Sequence, residues 1–189
     1  MNTTINYSPN FEIKKRKKNE IRFIVFHYTG MKKETDAIKK LTSQGTKVSS
    51  HYLIKKNGEI LTLVPDLYIS WHAGVSFWKN FKSLNKHSLG IEISNPGHEF
   101  KYNNFTQKQI NSILKLSKFL IKKYKIKSKC ILGHSDISPD RKKDPGEKFP
   151  WHFLSKRKIG IWHSLNSRKL IRTRNQRITE IQKNHFIKN

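Results

Sequence analysis

IRFIVFH (21–27) is a β-branched and aromatic run of strand length, and it ends on a histidine. Two later runs repeat this design. SLGIEIS (88–94) is a strand halted by Asn95, Pro96 and Gly97, and KCILGH (129–134) is a short buried strand that again ends on a histidine. Between the first two, TDAIKKLTS (35–43) reads as a short helix. SSHYLIKKNGEILTLVP (49–65) holds two alternating runs joined by Asn57 and Gly58, a strong hairpin signal. A longer helix starts at Thr106, an N-cap with Gln109 placed to complete a capping box. Its apolar residues Ile110, Ile113, Leu114, Leu120, Ile121 and Tyr124 recur at helical spacing, so one face packs on a sheet while lysines cover the other. The order β, α, β, β, β, α, β predicts an α/β domain with a central mixed sheet flanked by helices.

The domain is expected over residues 21–162, after a polar lead-in at 1–20 that ends in KKRKKNE and is expected to be solvated with a small part ordered. Residues 163–189 read as a basic, partly helical tail in which Arg168, Lys169, Arg172, Arg174 and Arg177 cluster. At 189 residues with 35% hydrophobic content, the chain suits one packed domain with an appendage. A formal charge of +26, from 39 Lys and Arg against 13 Asp and Glu, gives a surface field that attracts anions without naming which. One cysteine, Cys130, excludes an intramolecular disulfide framework. No run approaches the roughly 18 apolar residues of a membrane span, and the N-terminus lacks the apolar run of a signal peptide. A cytoplasmic location is the expectation, with a periplasmic or exported one, by a route the sequence does not show, as the alternative.

Two imidazoles at strand ends, His27 and His134, could converge on one metal ion. Asp144 follows His134 by ten residues in GHSDISPDRKKDPG (133–146), where Pro145 and Gly146 turn the chain back. Two histidines and one carboxylate leave a fourth tetrahedral position open, the composition of a catalytic zinc site. Cys130 shares a strand face with His134, but four residues of strand span about 13 Å, so it is assigned to the core. His51 and His72 stay open: either could replace one of the three ligands, or line the cleft and contact substrate, the role favoured here. His87, His98, His152, His163 and His185 fall in loops or the tail without comparable context. Glu92 alternates away from the face that Ile91 and Ile93 occupy, in position to serve as a base. Lys142 could place its ammonium near a developing oxyanion.

FHYTG (26–30), SSHYLI (49–54), WHAG (71–74), GIEISNPG (90–97) and GHSDISPDRKKDPGEKFPW (133–151) together resemble the zinc-dependent N-acetylmuramoyl-L-alanine amidases of the peptidoglycan-recognition and phage-lysozyme amidase superfamily. The resemblance spans roughly residues 20–162. It implies one zinc ion per chain held by His27, His134 and Asp144, with Glu92 as the catalytic glutamate and Lys142 as the active-site lysine. His51, Trp71, His72 and Arg141 are then expected to bind substrate. The implied partners are peptidoglycan fragments or muropeptides with intact or 1,6-anhydro muramic acid, in cell-wall turnover or recycling, and the expected state is a monomer with no nucleic acid. Two other classes remain in view: a non-catalytic peptidoglycan-binding module sharing the fold, and a basic nucleic-acid binder, which would explain the tail but leave the His, Glu and Asp pattern unexplained.

Overall fold

A computed structural model describes residues 2–163 and residue 168; the rest of the basic tail lies outside the described residues. The chain opens with two short strands, β1 (Thr4–Ile5) and β2 (Phe11–Glu12), and then enters β3 (Phe23–Tyr28), built from the first β-branched and aromatic run. Helix α1 (Glu34–Thr42) leads to the hairpin β4 (Tyr52–Ile54) and β5 (Ile60–Thr62). At its turn the Lys55 carbonyl accepts from the Gly58 N–H at 2.9 Å, and Gly58 takes φ of +86°, a left-handed conformation that suits glycine. Strand β6 (Ile69–Ser70), a small hairpin β7 (Phe77–Trp78) and β8 (Phe81–Lys82), and the strand β9 (Ser88–Ile93) follow. Helix α2 (Gln107–Tyr124), strand β10 (Ile131–Gly133) and the short helices α3 (His134–Ile137) and α4 (Trp151–Ser155) complete the order.

Six strands form one mixed sheet in the order β1-β5-β4-β9-β3-β10. Strands β4, β9, β3 and β10 run parallel, whereas β4 and β5 pair antiparallel. Central β3 and β9 align from Phe23 beside Ser88 to Tyr28 beside Ile93, so residues at one level point to the same face. On one face Ile24, Phe26, Leu89, Ile91 and Ile93 pack with Ile113, Leu116, Leu120 and Tyr124 of α2. Helix α2 begins as its sequence implies: the Thr106 hydroxyl accepts from the Gln109 N–H at 3.1 Å while the Gln109 side chain accepts from the Thr106 N–H at 3.0 Å. A cap of this kind contributes about 1 kcal/mol. On the other face Phe23 and Val25 meet Ala73, Leu84, Leu132 and Ile137, and beyond this small cluster the face turns polar.

Two elements differ from the sequence reading. The lead-in is docked over much of its length, since β1 pairs with β5, β2 pairs with β6, and Ser8, Asn10 and Arg16 are buried. Arg16 explains the docking: its guanidinium donates to the carbonyls of Asp66 (2.9 Å), Asn85 (3.0 Å) and Ser88 (2.8 Å), which a lysine ammonium could not span in one plane. His134 opens helix α3 instead of closing a strand, because the Asp136 carboxylate accepts from the Gly133 N–H at 2.7 Å and curls the chain into a turn. Cys130 packs against both hydrophobic clusters, the place expected of a core thiol.

Candidate metal centre

Register alone brings His27 and Glu92 together: they are direct neighbours on β3 and β9, on the face away from α2. Strand β10 lies on the other side of β3 with Gly133 beside Phe26, so His134, the next residue, reaches the same end of the sheet. Asp144 returns through the loop after α3, where its carbonyl accepts from the Ser135 N–H at 2.8 Å. The carboxyl ends of three parallel strands thus meet one loop, a common position for a site in an α/β sheet.

Nδ1 of His27 lies 2.8 Å from Nδ1 of His134, and each lies 3.0 Å from Oδ2 of Asp144. All three residues are buried, and their ligand atoms fall within 4.8 Å of one another. Ligands about 2.0–2.2 Å from a tetrahedral zinc stand about 3.3 Å apart, so this triangle needs only a few tenths of an ångström of expansion to surround an ion. The His134 ring is oriented as a donor to a metal would be. Its Nε2 is 3.1 Å from the Ala73 carbonyl, which can only accept, so the proton sits on Nε2 and Nδ1 turns a bare lone pair toward the carboxylate. Burial, reinforced by His134, lowers the pKa of His27 to about 4, so at neutral pH the His27 ring is uncharged. Two imidazole nitrogens and a carboxylate oxygen at these separations suit a shared cation, and the set fits zinc.

A cavity of about 490 Å³ opens beside the triangle, with His72, Glu92, Arg141 and Lys142 among its lining residues. Glu92 is 9% exposed, and its buried Oε2 has no hydrogen-bond partner. Burial, then the charge of Asp144, pushes its pKa well above the usual carboxylate range, with Lys142 opposing. Arg141 is anchored by hydrogen bonds from Nη2 to the carbonyls of Ala73 (3.0 Å) and Val75 (2.8 Å).

Other expected site residues fall elsewhere. His51, expected to line the cleft, is fully buried and is not among the residues that line this cavity. Its Nδ1 contacts the Ser70 hydroxyl at 2.7 Å and accepts from the Gly90 N–H at 3.0 Å, so the ring braces β9. Trp71 is half-buried and likewise absent from the wall; its backbone N–H donates to the Ser49 hydroxyl at 2.9 Å. His72 does reach the wall, yet both its ring nitrogens are engaged within the protein, at 2.9 Å from His27 Nε2 and 3.0 Å from the Ser88 hydroxyl. His98, passed over as a loop residue, lines the cavity between Tyr28, at 2.9 Å, and Glu147, at 2.9 Å. Its position just after the strand-ending Asn-Pro-Gly was the available signal.

Residues 17–147 match the family model described as N-acetylmuramoyl-L-alanine amidase. The N-acetylmuramoyl-L-alanine amidase AmiD of Escherichia coli is 39% identical over 75% of this chain, and the match covers 55% of AmiD. The chain thus spans about half the length of that relative. A solved complex of the Escherichia coli AmiD with anhydro-N-acetylmuramic acid-L-Ala-D-gamma-Glu-L-Lys superposes with a TM-score of 0.70 at 37% identity, covering 76% of this chain and 59% of that one. AMPDH3 of Pseudomonas aeruginosa, solved with anhydromuramic pentapeptide, gives a TM-score of 0.73 at 32% identity over 92% of this chain and 73% of its own.

Proposed function

Because the chain belongs to the N-acetylmuramoyl-L-alanine amidase family, we propose that it hydrolyses the amide between N-acetylmuramic acid and L-alanine in peptidoglycan fragments, with zinc as its metal. The observation that carries this reading is the buried His27, His134 and Asp144 triangle beside the unpartnered Glu92 carboxyl. Fragments with 1,6-anhydro muramic acid are the favoured substrate, because two of the similar solved proteins hold anhydromuramic peptides.

His27, His134 and Asp144 would hold the zinc, all from one chain, so the reading needs one ion and no second subunit. Bound there, zinc supplies Lewis acidity, which polarises an amide carbonyl and makes water easier to deprotonate. Glu92 takes the proton of the attacking water at its carboxylate. Its burial then makes it a willing donor of that proton to the departing L-alanine nitrogen, a transfer helped by a raised pKa. Lys142, on the cavity wall, donates to the oxygen that gains charge when the carbonyl carbon becomes tetrahedral. Arg141, held through Nη2 against the 73–75 backbone, faces the stem peptide and pairs with its carboxylates. The strongly basic surface serves the same anionic substrate.

Mass spectrometry of purified muropeptides, intact and anhydro, incubated with the protein before and after chelation, tests the proposal. Release of the L-alanyl peptide with zinc, and none after chelation, is expected. An intact amide in the zinc-loaded sample would refute it.

A further inference from the structure

The His72–Ala73 dipeptide touches both histidines of the triangle from behind. His27 Nε2 lies 2.9 Å from His72 Nδ1, and His134 Nε2 lies 3.1 Å from the Ala73 carbonyl. The direction of the first contact can be worked out from its far end. Ser88 Oγ and the Leu84 carbonyl oxygen are 2.5 Å apart, and only the hydroxyl has a proton to give. With its single proton committed there, Ser88 must accept from His72 Nε2–H at 3.0 Å. A neutral His72 ring protonated on Nε2 has a bare Nδ1, and that nitrogen must accept from His27 Nε2–H. His27 is then left with a bare Nδ1, aimed at Asp144 and His134.

The remaining contacts hold this dipeptide in place. The Asn85 side-chain oxygen accepts from the N–H of His72 at 3.1 Å and from the N–H of Ala73 at 2.7 Å. Strand β9 makes room for the ring: a Cβ on Gly90 would sit 2.4 Å from His72 Cγ, inside any tolerable contact. Ser88, Gly90 and Glu92 alternate along one face of β9, so the strand that carries the unpartnered carboxyl also receives His72 and accepts its proton.

We propose that His72 and Ala73, clamped by Asn85 and seated over Gly90, form a positioning element that holds both His27 and His134 in the Nε2–H tautomer, so that each offers Nδ1 to the metal. His72 is therefore a positioning residue, and its place in the cleft wall is a by-product of that role. The inference rests on the zinc reading for its purpose, but the tautomers exist without a metal. Outer partners of metal-bound histidines commonly change metal affinity by about 10–100-fold when removed.

The test combines long-range ¹H–¹⁵N spectra of the histidine rings in metal-free protein with zinc affinity measured by chelator competition. Wild type should show Nε2–H for both His27 and His134. His72→Leu should release His27 into a mixture of tautomers and weaken zinc by about 10–100-fold. Asn85→Leu should weaken zinc as well, whereas Asn85→Asp, which keeps the accepting oxygen, should restore near-wild-type affinity. Melting temperatures identify variants that fail to fold; Ser88→Ala, which removes only the acceptor for His72, then takes the place of His72→Leu with the same expectation. His27 protonated on Nδ1 in wild type would overturn the proposal, as would unchanged zinc affinity in folded His72→Leu and Asn85→Leu. Wild type that binds no zinc but shows both Nε2–H tautomers would refute the metal reading and leave the positioning element supported.

Discussion

Asp66 and Asp144 are both buried carboxylates, at 8% and 6% exposure, and their surroundings could hardly differ more. Around Asp66 the hydrogen-bonding neighbours each bring a proton: the Tyr52 hydroxyl donates to Oδ1 at 2.6 Å, and Lys123 at 2.7 Å and the Tyr124 hydroxyl at 2.6 Å donate to Oδ2. Burial opposes ionisation of Asp66, but these donors outweigh it and hold its pKa below the ordinary range. Around Asp144, Oδ2 instead faces two imidazole nitrogens 2.8 Å apart that hydrogen bonds elsewhere leave as acceptors. One carboxylate is complete within the protein and ties α2 to the chain before β6. The other, on the proposed reading, is completed by a cation. A buried acid declares a structural or a chemical role by what its neighbours can donate.

Substituting each acid in turn should separate the two roles, and this contrast carries the largest effects. Asp144→Ala, like His27→Ala and His134→Ala, should abolish zinc binding and bring amide cleavage down at least about 10³-fold, given the several kcal/mol a metal supplies. Its melting temperature without metal should hardly move, since the substitution leaves no donor stranded. Asp66→Ala should do the reverse, keeping zinc and cleavage while losing about 3 kcal/mol of stability, because Tyr52, Tyr124 and Lys123 lose their common acceptor. Zinc content, turnover and calorimetry on both variants check the pair.

Glu92 sharpens the comparison, being a third buried acid with an unpartnered oxygen. Glu92→Gln keeps shape and reach but cannot take a proton from water, so turnover should fall about 10²–10⁴-fold with zinc retained. Its stability effect has a definite sign. A carboxyl whose folded pKa lies above the unfolded value near 4.3 costs nothing below that value and destabilises increasingly as pH rises through the folded pKa. Metal-free Glu92→Gln should therefore melt higher than wild type at pH 8 and equally at pH 4, as thermal scans would show. The smallest effect is expected from the tail. Truncation after Leu165 should leave both melting temperature and cleavage of small soluble muropeptides unchanged, because all the proposed chemistry lies earlier.

The parts of the fold and site legible in the sequence are those fixed by local chemistry. Asn57–Gly58 makes its turn, and Thr106 with Gln109 caps α2, because turn and cap preferences act within a few residues. His27, Glu92, His134 and Asp144 could be picked out because each is a polar residue at the end or on the inner face of an apolar strand, or in the loop that follows. Asn85, Ser88 and Arg16 carried no such mark. Asn85 clamps backbone N–H groups twelve and thirteen residues away in sequence, and Arg16 reaches carbonyls up to 72 residues away. His51 and His72 looked alike in sequence, each a histidine beside a serine or tryptophan. Only packing divides them, His51 behind β9 as a brace and His72 against His27.

X-ray absorption at the zinc edge of the reconstituted protein tests the central claim most directly. The account predicts one zinc per chain with two imidazole nitrogens, the remaining ligands oxygen, and no sulfur. A zinc site showing sulfur or three imidazoles, or a protein that takes up no zinc after reconstitution, would contradict it.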